Sequence, residues 1–370
     1  MRWPVGGIRT YIKYVFNGEE FSDSRITVIA PDINGLSSQF GEIFPEDRFS
    51  FVPCENSFFG LMRVVWQDLR RNKFNVINIQ GFSSAMASFL PTLLLARNAV
   101  QLTTIHDVLH DIHFTGIKGR IKRWLMANVL KQYDCIVPVS HDCKDNLLEY
   151  FPEVASTKIC TIVNGVSVER MTASNALPLH QYFGVDGSRL LVGFLGRFMA
   201  QKGFRYLVDA VEILIKDPAM TRQPLVLCYG IGGFYREEIA AIEARGLSEY
   251  FHLSEHIEDV GAAIKALDVV AMPSLWEACP LLPMEVLICG TPLIASDCIG
   301  LREVVADTPT WVVPQANARA LADALRAVAV DDRRAEFAAY APVAAQRFDV
   351  AHTRAKLAAL YAEVLSGQAL

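Results

Sequence analysis

Short apolar runs alternate along this chain with longer segments whose apolar residues recur at helical spacing. The short runs predict buried strands, and the longer segments predict helices. The predicted strands are 26–30, 75–79, 100–105, 134–139 and 158–164 in the first half, and 190–195, 224–229, 251–260 with its turn, 268–272 and 292–295 in the second. Strands that alternate with helices are typical of parallel sheets covered by helices on both faces, so the pattern predicts an α/β fold.

Residues 268–297 join two of these strands through a short predicted helix. Pro283 suits the first turn of that helix, and Gly290 suits its end. Two carboxylates frame the connection, with Glu277 in the loop after the strand and Glu285 in the first helical turn. The connection should be a right-handed parallel crossover, and ligands bind beyond the carboxyl ends of such strands. We therefore expect a binding crevice here.

The residue types in this crevice suit a nucleotide sugar. The helix start at Leu281 and Leu282 offers N–H groups and the positive end of the helix dipole, which suit a phosphate. Ionised carboxylates accept hydrogen bonds from sugar and ribose hydroxyls. In the alternative interpretation, Glu285 merely complements the dipole and Glu277 is solvated. Spacing alone does not decide between the two.

The motif E-x7-E, with a Pro before the second Glu, resembles the donor site of retaining glycosyltransferases of the GT-B fold, especially glycosyltransferase family 4. The following GTPLIASDCIGLREVV is also similar to that family. Ala278, Cys279 and Pro280 replace residues that are common in the motif, and they predict a stiffer loop. The resemblance implies two Rossmann-like parallel-sheet domains that face each other across a cleft. It assigns sugar hydroxyls to Glu277, ribose to Glu285, and donor phosphate to Leu281 and Leu282.

A second motif follows the strand 190–195, with Gly196 and Arg197 at its start and Lys202 and Gly203 at its end. A guanidinium fork and an ammonium group can together neutralise a diphosphate. Spacing alone would favour two ordinary surface cations. The segment resembles the G-R-x4-K-G diphosphate motif of family 4, which implies that Gly196, Arg197 and Lys202 bind the donor.

In the first half, a Val-Gly-Gly loop precedes a predicted helix over 9–16. A glycine-rich loop before a helix is a phosphate-binding arrangement. The resemblance implies that the backbone of Gly7 approaches the donor phosphate. Only residues 1–4 precede the loop, so we expect the first strand of the family's sheet to be missing. A plain N-terminal turn is the alternative.

The predicted strand 100–105 ends in His106 and Asp107. This ending resembles a family 4 feature, which implies that His106 contacts the transferred sugar, commonly at its primary hydroxyl. His106, His110 and His113 also lie at helical spacing, so a metal site is a minor alternative. We expect no bound metal.

The segment 118–131 reads KGRIKRWLMANVLK, with five cations and the apolar residues Ile121, Trp124, Leu125 and Val129 on one side. A basic amphipathic helix can lie on an anionic membrane. The simpler interpretation is a surface helix whose apolar side packs into the core, and we favour that one.

Composition and charge limit the classes of protein to which the chain can belong. The 370 residues are 52% hydrophobic with a net charge of −5, so a folded core is available and nothing favours nucleic-acid binding. Eight scattered cysteines without a C-x-x-C pair fit a reducing cytoplasm. The start lacks the apolar region of a signal peptide, and no apolar run suffices to span a bilayer.

These observations predict an N-terminal domain over 1–180, joined by a returning helix at 348–370, and a C-terminal donor-binding domain over 186–347. The resemblance implies a cytoplasmic retaining glycosyltransferase that needs no cofactor. It would move a sugar from a nucleoside-diphosphate sugar to a saccharide, lipid-linked or surface-polymer acceptor, with peripheral membrane contact through 118–131 as an option. The alternatives are a GT-B nucleotide-sugar epimerase and a catalytically degenerate partner subunit.

Overall fold

The computed structural model describes residues 1, 6–154, 159–185, 188–255, 257–331 and 333–367. The chain divides into two units, Met1–Gly165 with Val350–Leu370 and Val166–Asp349. Each unit is Rossmann-like, with parallel strands and surrounding helices. The expected lack of a first strand concerns residues 1–4, of which 2–4 lie outside the described residues.

Strands and helices alternate through both units. The strands are β1 Ile26–Ala30, β2 Phe49–Pro53, β3 Val76–Gln80, β4 Val100–Ile105, β5 Cys135–Pro138, β6 Arg189–Leu195, β7 Gln223–Tyr229, β8 Phe251–Ser254, β9 Val269–Met272, β10 Leu293–Ser296 and β11 Trp311–Val313. The helices are α1 Gly7–Phe16, α2 Leu36–Gly41, α3 Phe58–Arg71, α4 Phe82–Leu95, α5 Gly116–Leu130, α6 His141–Tyr150, α7 Val168–Ala173, α8 Leu179–Tyr182, α9 Phe204–Ile215, α10 Tyr235–Ala244, α11 Val260–Ala266, α12 Leu282–Ile288, α13 Leu301–Val305, α14 Ala318–Val330, α15 Arg334–Arg347 and α16 Val350–Leu365.

The first unit contains the parallel pair β1–β2 and the parallel sheet β3-β4-β5. The predicted strand 158–164 is wrong for the part that the structure describes. There, the N–H groups of Cys160 and Ile162 donate to carbonyls of β5, but bridge geometry holds only between Ile159 and Ile136. Register with β5 therefore lasts for one residue, which is too short for a strand.

The last helix, α16, belongs to the first unit. Its Leu357 and Leu360 are buried in a core cluster that also contains Tyr11 and Ile12 of α1. The hydroxyl of Tyr361 accepts a hydrogen bond of 2.8 Å from the Asn78 side chain on β3. Apolar burial and this bond together fix α16 on the unit to which the first residues of the chain belong.

The second unit has a parallel sheet in the order β11-β10-β9-β6-β7-β8. Its strands read as nearly continuous apolar runs because helices cover both faces of such a sheet. The central strands β6 and β9 are neighbours, with Val192 opposite Val269. Because the strands are parallel, the loops that follow β6 and β9 leave the sheet at the same edge.

The boundary between the units lies at Gly165, whereas the sequence placed the end of the first domain at residue 180. The segment after Gly165 is anchored to the second unit. Ser174 bonds Asp259 over 2.8 Å, and the Lys265 ammonium donates to the Ser174 carbonyl over 2.6 Å. In addition, α7 packs on α11 and α12. These contacts explain why α7, which the sequence placed in the first domain, belongs to the second unit.

Helix α5 overturns the expectation that its apolar side packs into the core. Ile121, Trp124 and Leu125 are exposed, and only Val129 of the four predicted core residues is buried. The helix instead buries its opposite side, where the small Gly119 and Ala127 lie. None of the helices that the structure describes is long and apolar enough to cross a membrane.

Candidate functional site

The loops after β6 and β9 bring the two predicted motifs of the second unit together. The chain leaves β6 through Gly196 and Arg197 and passes a 3₁₀ turn, Ala200–Lys202, before α9 begins. Glu277 follows β9 in the loop that leads to α12. Adjacent parallel strands place both loops at the carboxyl edge of the sheet, where open α/β folds bind ligands.

Lys202 and Glu277 form a direct ion pair. The Lys202 ammonium lies 2.6 Å from a carboxylate oxygen of Glu277, and Glu277 is only 6% exposed. Ser274 donates its hydroxyl hydrogen to the same oxygen over 2.8 Å. A buried charge that loses one partner is strongly destabilising, so the cation and the carboxylate hold each other in place.

Gln201 and Ser296 support this pair, and the sequence motifs gave no sign of either. The Gln201 amide donates to the Trp276 carbonyl over 2.9 Å and approaches the second oxygen of Glu277 at 3.4 Å. The Ser296 hydroxyl donates to the Ser274 carbonyl. Both side chains fix the loop that carries Glu277. Their place beside it depends on the approach of segments that are far apart in sequence.

Gly203 explains how the two loops approach so closely. Its φ is +64°, a left-handed value that favours glycine, and a β-carbon there would lie 1.9 Å from the Pro273 carbonyl oxygen. The Leu275 N–H also donates to the Gln201 carbonyl over 2.8 Å. Backbone thus meets backbone at this point, so the glycine of the second motif is required by packing before any ligand is considered.

Arg197 occupies the same loop as Lys202 but is exposed. Among the described residues, no carboxylate lies within ion-pair distance of its guanidinium. The structure therefore brings Lys202 and Glu277 into contact, whereas Arg197, in the same loop, is exposed. Gly196 is half-buried, and its N–H donates to the Tyr229 carbonyl of the neighbouring strand over 2.9 Å.

Helix α12 begins at Leu282, with Leu281 as the N-cap residue and Pro283 in its first turn, close to the predicted start. The Leu281 side chain makes no capping hydrogen bond to the helix. Glu285 is half-buried in the first turn, and its loss of hydration raises its pKa to about 7. Arg170 of α7 acts in the opposite direction by favouring the charged form. Glu285 therefore titrates near neutral pH, which simple complementation of the dipole does not predict.

His106 lies in the first unit, directly after β4. Its Nε2 is 2.7 Å from the amide oxygen of Gln80, and its ring packs edge-on against Tyr11 with centroids 5.0 Å apart. Burial lowers the pKa of His106 to about 3. The imidazole is therefore neutral at physiological pH, and with the Gln80 oxygen as acceptor its Nε2 carries the proton.

A partly buried series of hydrogen-bonded side chains lies beside His106. Tyr11 bonds Thr104, the Thr104 hydroxyl donates to the Asn78 oxygen over 2.8 Å, and Asn78 donates to Tyr361 over 2.8 Å. Sequence patterns did not indicate this series of hydrogen bonds, because its members come from α1, β3, β4 and α16. It joins the last helix to the Tyr11 ring that supports the histidine.

Gly7 is the first residue of α1, after Gly6 with φ +58°. A β-carbon at Gly7 would meet no atom of the described residues within 4 Å. Packing within the folded unit therefore does not require a glycine at this position.

The metal alternative gains no support from the side chains that the structure describes. Among them, no group of three or more His, Cys, Asp or Glu residues is arranged to hold an ion. The N–H of His110 donates to Nδ1 of His113 over 3.1 Å, so these two residues form a local turn instead.

Two family models match the chain in tandem. The model described as Glycosyltransferase Family 4 matches residues 5–170. The model described as Glycosyl transferases group 1 matches residues 189–331. The two matched segments correspond closely to the two halves of the fold.

Curated relatives match the chain over different lengths. Alpha-maltose-1-phosphate synthase of Mycolicibacterium smegmatis is 26% identical over 233 residues, which are 58% of this chain and 59% of that enzyme. D-inositol 3-phosphate glycosyltransferase of Corynebacterium urealyticum is 29% identical over 217 residues, 55% of this chain and 51% of the enzyme. A 41.2 kDa protein in the cps region of Klebsiella pneumoniae is 25% identical over 318 residues, 83% of this chain and 82% of that protein. The match thus spans only half to three fifths of the two named enzymes.

Solved structures share the fold over nearly the whole chain. HepE from Anabaena, in complex with UDP and glucose, superposes with a TM-score of 0.81 at 19% identity and covers 99% of this chain and 97% of its own. Sucrose-phosphate synthase from Thermosynechococcus elongatus gives a TM-score of 0.80 at 17% identity, with coverages of 98% and 95%. At such identities the likeness establishes the architecture.

Proposed function

Because the chain belongs to the family 4 (group 1) glycosyltransferases of the GT-B fold, we propose that it moves a sugar from a nucleoside-diphosphate sugar to an acceptor. The acceptor would be a saccharide, a lipid-linked molecule or a surface polymer, and the anomeric configuration would be retained. The observation that supports this proposal is the ion pair between the half-buried Lys202 and the buried Glu277, which joins the two motifs at the carboxyl edge of one sheet.

In this proposal, Lys202 and Arg197 bind the donor diphosphate. Among the described residues, Glu277 is the carboxylate that pairs with Lys202, and a diphosphate would add negative charge on the side of the ammonium that stays accessible. Arg197, exposed and without an ion pair in the described part of the chain, can swing onto the same group. The backbone N–H groups of Leu281 and Leu282 and the loop at Gly196 complete the phosphate contacts.

The remaining assignments follow from the family resemblance. Glu277 would hold sugar hydroxyls and Glu285 the ribose. His106 would contact the sugar as a neutral imidazole, consistent with its lowered pKa. Gly7 would let the backbone of α1 approach the phosphate, which agrees with the open space around its α-carbon.

The environment of Glu277 argues against its acting as a nucleophile. One of its oxygens is engaged by both Lys202 and Ser274, and such contacts lower the reactivity of a carboxylate. We therefore favour a front-face route in which the leaving phosphate assists deprotonation of the acceptor. Lys202 and Arg197 would stabilise the charge that grows on the diphosphate, and no metal or other cofactor enters the scheme.

A thermal-shift screen of UDP-, GDP- and other nucleotide sugars tests donor binding, because a ligand that binds only the folded state raises Tm. We expect one class of donor to raise Tm and Lys202→Ala to abolish that shift. The anomeric configuration of the product, read by NMR, then tests retention. The absence of any shift across the screen would contradict the proposed donor site.

Two rival functions give different outcomes in the same experiments. An epimerase would convert its nucleotide sugar without an acceptor, so incubation with donor alone separates it from a transferase. A catalytically degenerate subunit would bind none of the nucleotides in calorimetric titrations. The intact Lys202–Glu277 pair favours the transferase over both.

A further inference from the structure

The outward side of α5 carries an apolar stripe at helical spacing. Ile117, Ile121, Trp124 and Leu125 occupy positions i, i+4, i+7 and i+8 and are exposed by 77%, 54%, 63% and 42%. A stripe with this spacing normally faces a protein core. Here the core is met by the opposite side of the helix, where the buried residues are Gly119, Met126, Ala127, Val129 and Leu130. We call the exposed stripe and its flanking cations the α5 face.

Cations flank the stripe on both sides. At 100° per residue, Lys118 and Lys122 follow the stripe on one flank, and Arg120 precedes it on the other. All three side chains are exposed. The segment 116–131 contains no Asp or Glu, although the whole chain carries a net charge of −5. The positive charge is therefore a local property of the α5 face.

The helix is fixed to its unit while this face points outward. Arg123 makes two hydrogen bonds, of 3.0 and 3.1 Å, to the carboxylate of Glu153 after α6. The Lys122 ammonium lies 5.6 Å from the ring centroid of Phe114, in the turn before α5. Ile112 in the same turn is also exposed. The exposure of the stripe is thus not a consequence of a loosely held helix.

We infer that the α5 face binds the surface of an anionic lipid bilayer. The helix would lie in the plane of the interface, with Ile117, Ile121 and Leu125 at the acyl boundary and Trp124 at headgroup depth. Lys118, Arg120 and Lys122 would reach anionic headgroups through their long side chains. A soluble acidic polymer would leave the apolar stripe in water, and an apolar protein surface would leave the cations without counter-charges. This inference does not rest on glycosyl transfer.

Flotation of the full chain with vesicles tests the inference directly. We expect binding to vesicles of phosphatidylcholine with phosphatidylglycerol, weaker binding to phosphatidylcholine alone, and loss of that difference in high salt. Ile121→Asn with Trp124→Asn should lower partitioning at least about tenfold. A matched control, Phe59→Asn with Val330→Asn, changes two exposed apolar residues elsewhere and should bind like the wild type.

A second pair of variants separates charge from apolar insertion. The triple change Lys118→Gln, Arg120→Gln and Lys122→Gln should remove the preference for anionic vesicles. The control triple Arg70→Gln, Arg71→Gln and Lys73→Gln makes the same charge change at exposed positions of the same unit and should retain the preference.

Depth is measured by fluorescence quenching with lipids brominated on the acyl chain. Bound wild type should be quenched, whereas Trp124→Phe should float as well as the wild type and lose most of the quenching. The inference is overturned if the wild type does not float with anionic vesicles or if both members of a variant pair bind alike. It is also overturned if the Ile121/Trp124 variant instead changes the oligomeric state, since the face would then join copies of the chain.

Discussion

The two units present their candidate site residues in contrasting ways. In the second unit, a cation and a carboxylate meet at 2.6 Å beneath a tight contact between two loops. In the first unit, His106 is neutral, bonded to an amide and packed against a phenol ring. Formal charge organises one site, and neutral polar contacts organise the other.

The difference has a chemical meaning for a transferase. A diphosphate leaving group needs fixed positive charge, and preorganised cations provide the largest stabilisation of a developing anion. A sugar hydroxyl can also bond to a neutral partner, and an imidazole with a lowered pKa stays neutral across the physiological pH range. The contrast is the one that the proposed roles require, and single substitutions in each unit test it.

The largest expected effect comes from the loop contact in the second unit. Gly203→Ala would place a β-carbon 1.9 Å from the Pro273 carbonyl oxygen at a left-handed φ. We expect a loss of about 3–5 kcal/mol in the free energy of unfolding, measured by urea denaturation. Gly233→Ala, in the same unit, has no described atom within 4 Å of its new carbon and should change stability little. Equal stabilities of the two variants would show that the loops do not touch as described.

The next effect is on catalysis. Lys202→Ala removes the cation that pairs with Glu277, and we expect turnover to fall about 100-fold, or about 2.7 kcal/mol. Turnover is followed by release of nucleoside diphosphate from the donor found in the thermal-shift screen. The control Lys216→Ala removes an exposed lysine of the same unit that pairs with Glu212. Wild-type turnover in Lys202→Ala would count against the site.

A smaller effect should appear in the pH dependence of the second unit. The pKa of Glu285 is raised to about 7 from 4.5, so between these values the folded chain binds more protons than the unfolded chain. Stability therefore falls as pH rises from about 4.5 to 7. Glu285→Gln should remove about 1–3 kcal/mol of that fall. Glu243→Gln, at an exposed position of α10, serves as control, and identical pH profiles for the two variants would rule out the raised pKa.

The smallest effect has the opposite sign and belongs to the first unit. The pKa of His106 is lowered from 6.5 to about 3, so the unfolded chain binds the extra proton as pH falls. The stability that the folded chain gains from the neutral His106 is complete above pH 6.5 and declines at lower pH. The free energy of unfolding should therefore fall between pH 6.5 and 5, and His106→Gln should reduce that fall by about 1–2 kcal/mol. Denaturation across this pH range measures it. The exposed His352→Gln is the control, and an unchanged profile in His106→Gln would mean that the imidazole is solvated.

Sequence patterns predicted those parts of this molecule that depend on neighbours along the chain. The strands β4, β6 and β9 and the start of α12 follow from apolar runs and from Pro283. Family resemblance then singled out Lys202 and Glu277, which the structure places in contact. Each motif follows a strand. Because the two strands are parallel neighbours in the sheet, their carboxyl ends lie close together whatever residues separate them in sequence.

The features that escaped prediction depend on distant segments. The Gln201 side chain bonds to the loop of Glu277, which lies more than 70 residues away in sequence. No local sequence pattern predicts that these two segments meet. Periodicity in α5 showed that Ile121, Trp124 and Leu125 share one side, but not whether that side meets the core or the solvent. The predicted first domain, 1–180, includes α7, yet the contacts of α7 with α11 and α12 place this helix in the second unit.

The return of α16 to the first unit also sets an order of events on the ribosome. Residues 166–349 are contiguous and can close their own core as soon as they emerge. The first unit starts earlier but is completed later, because Leu357 and Leu360 of its core follow the whole second unit in sequence. A released chain truncated after residue 349 should therefore resist protease in the second unit and remain sensitive in the first.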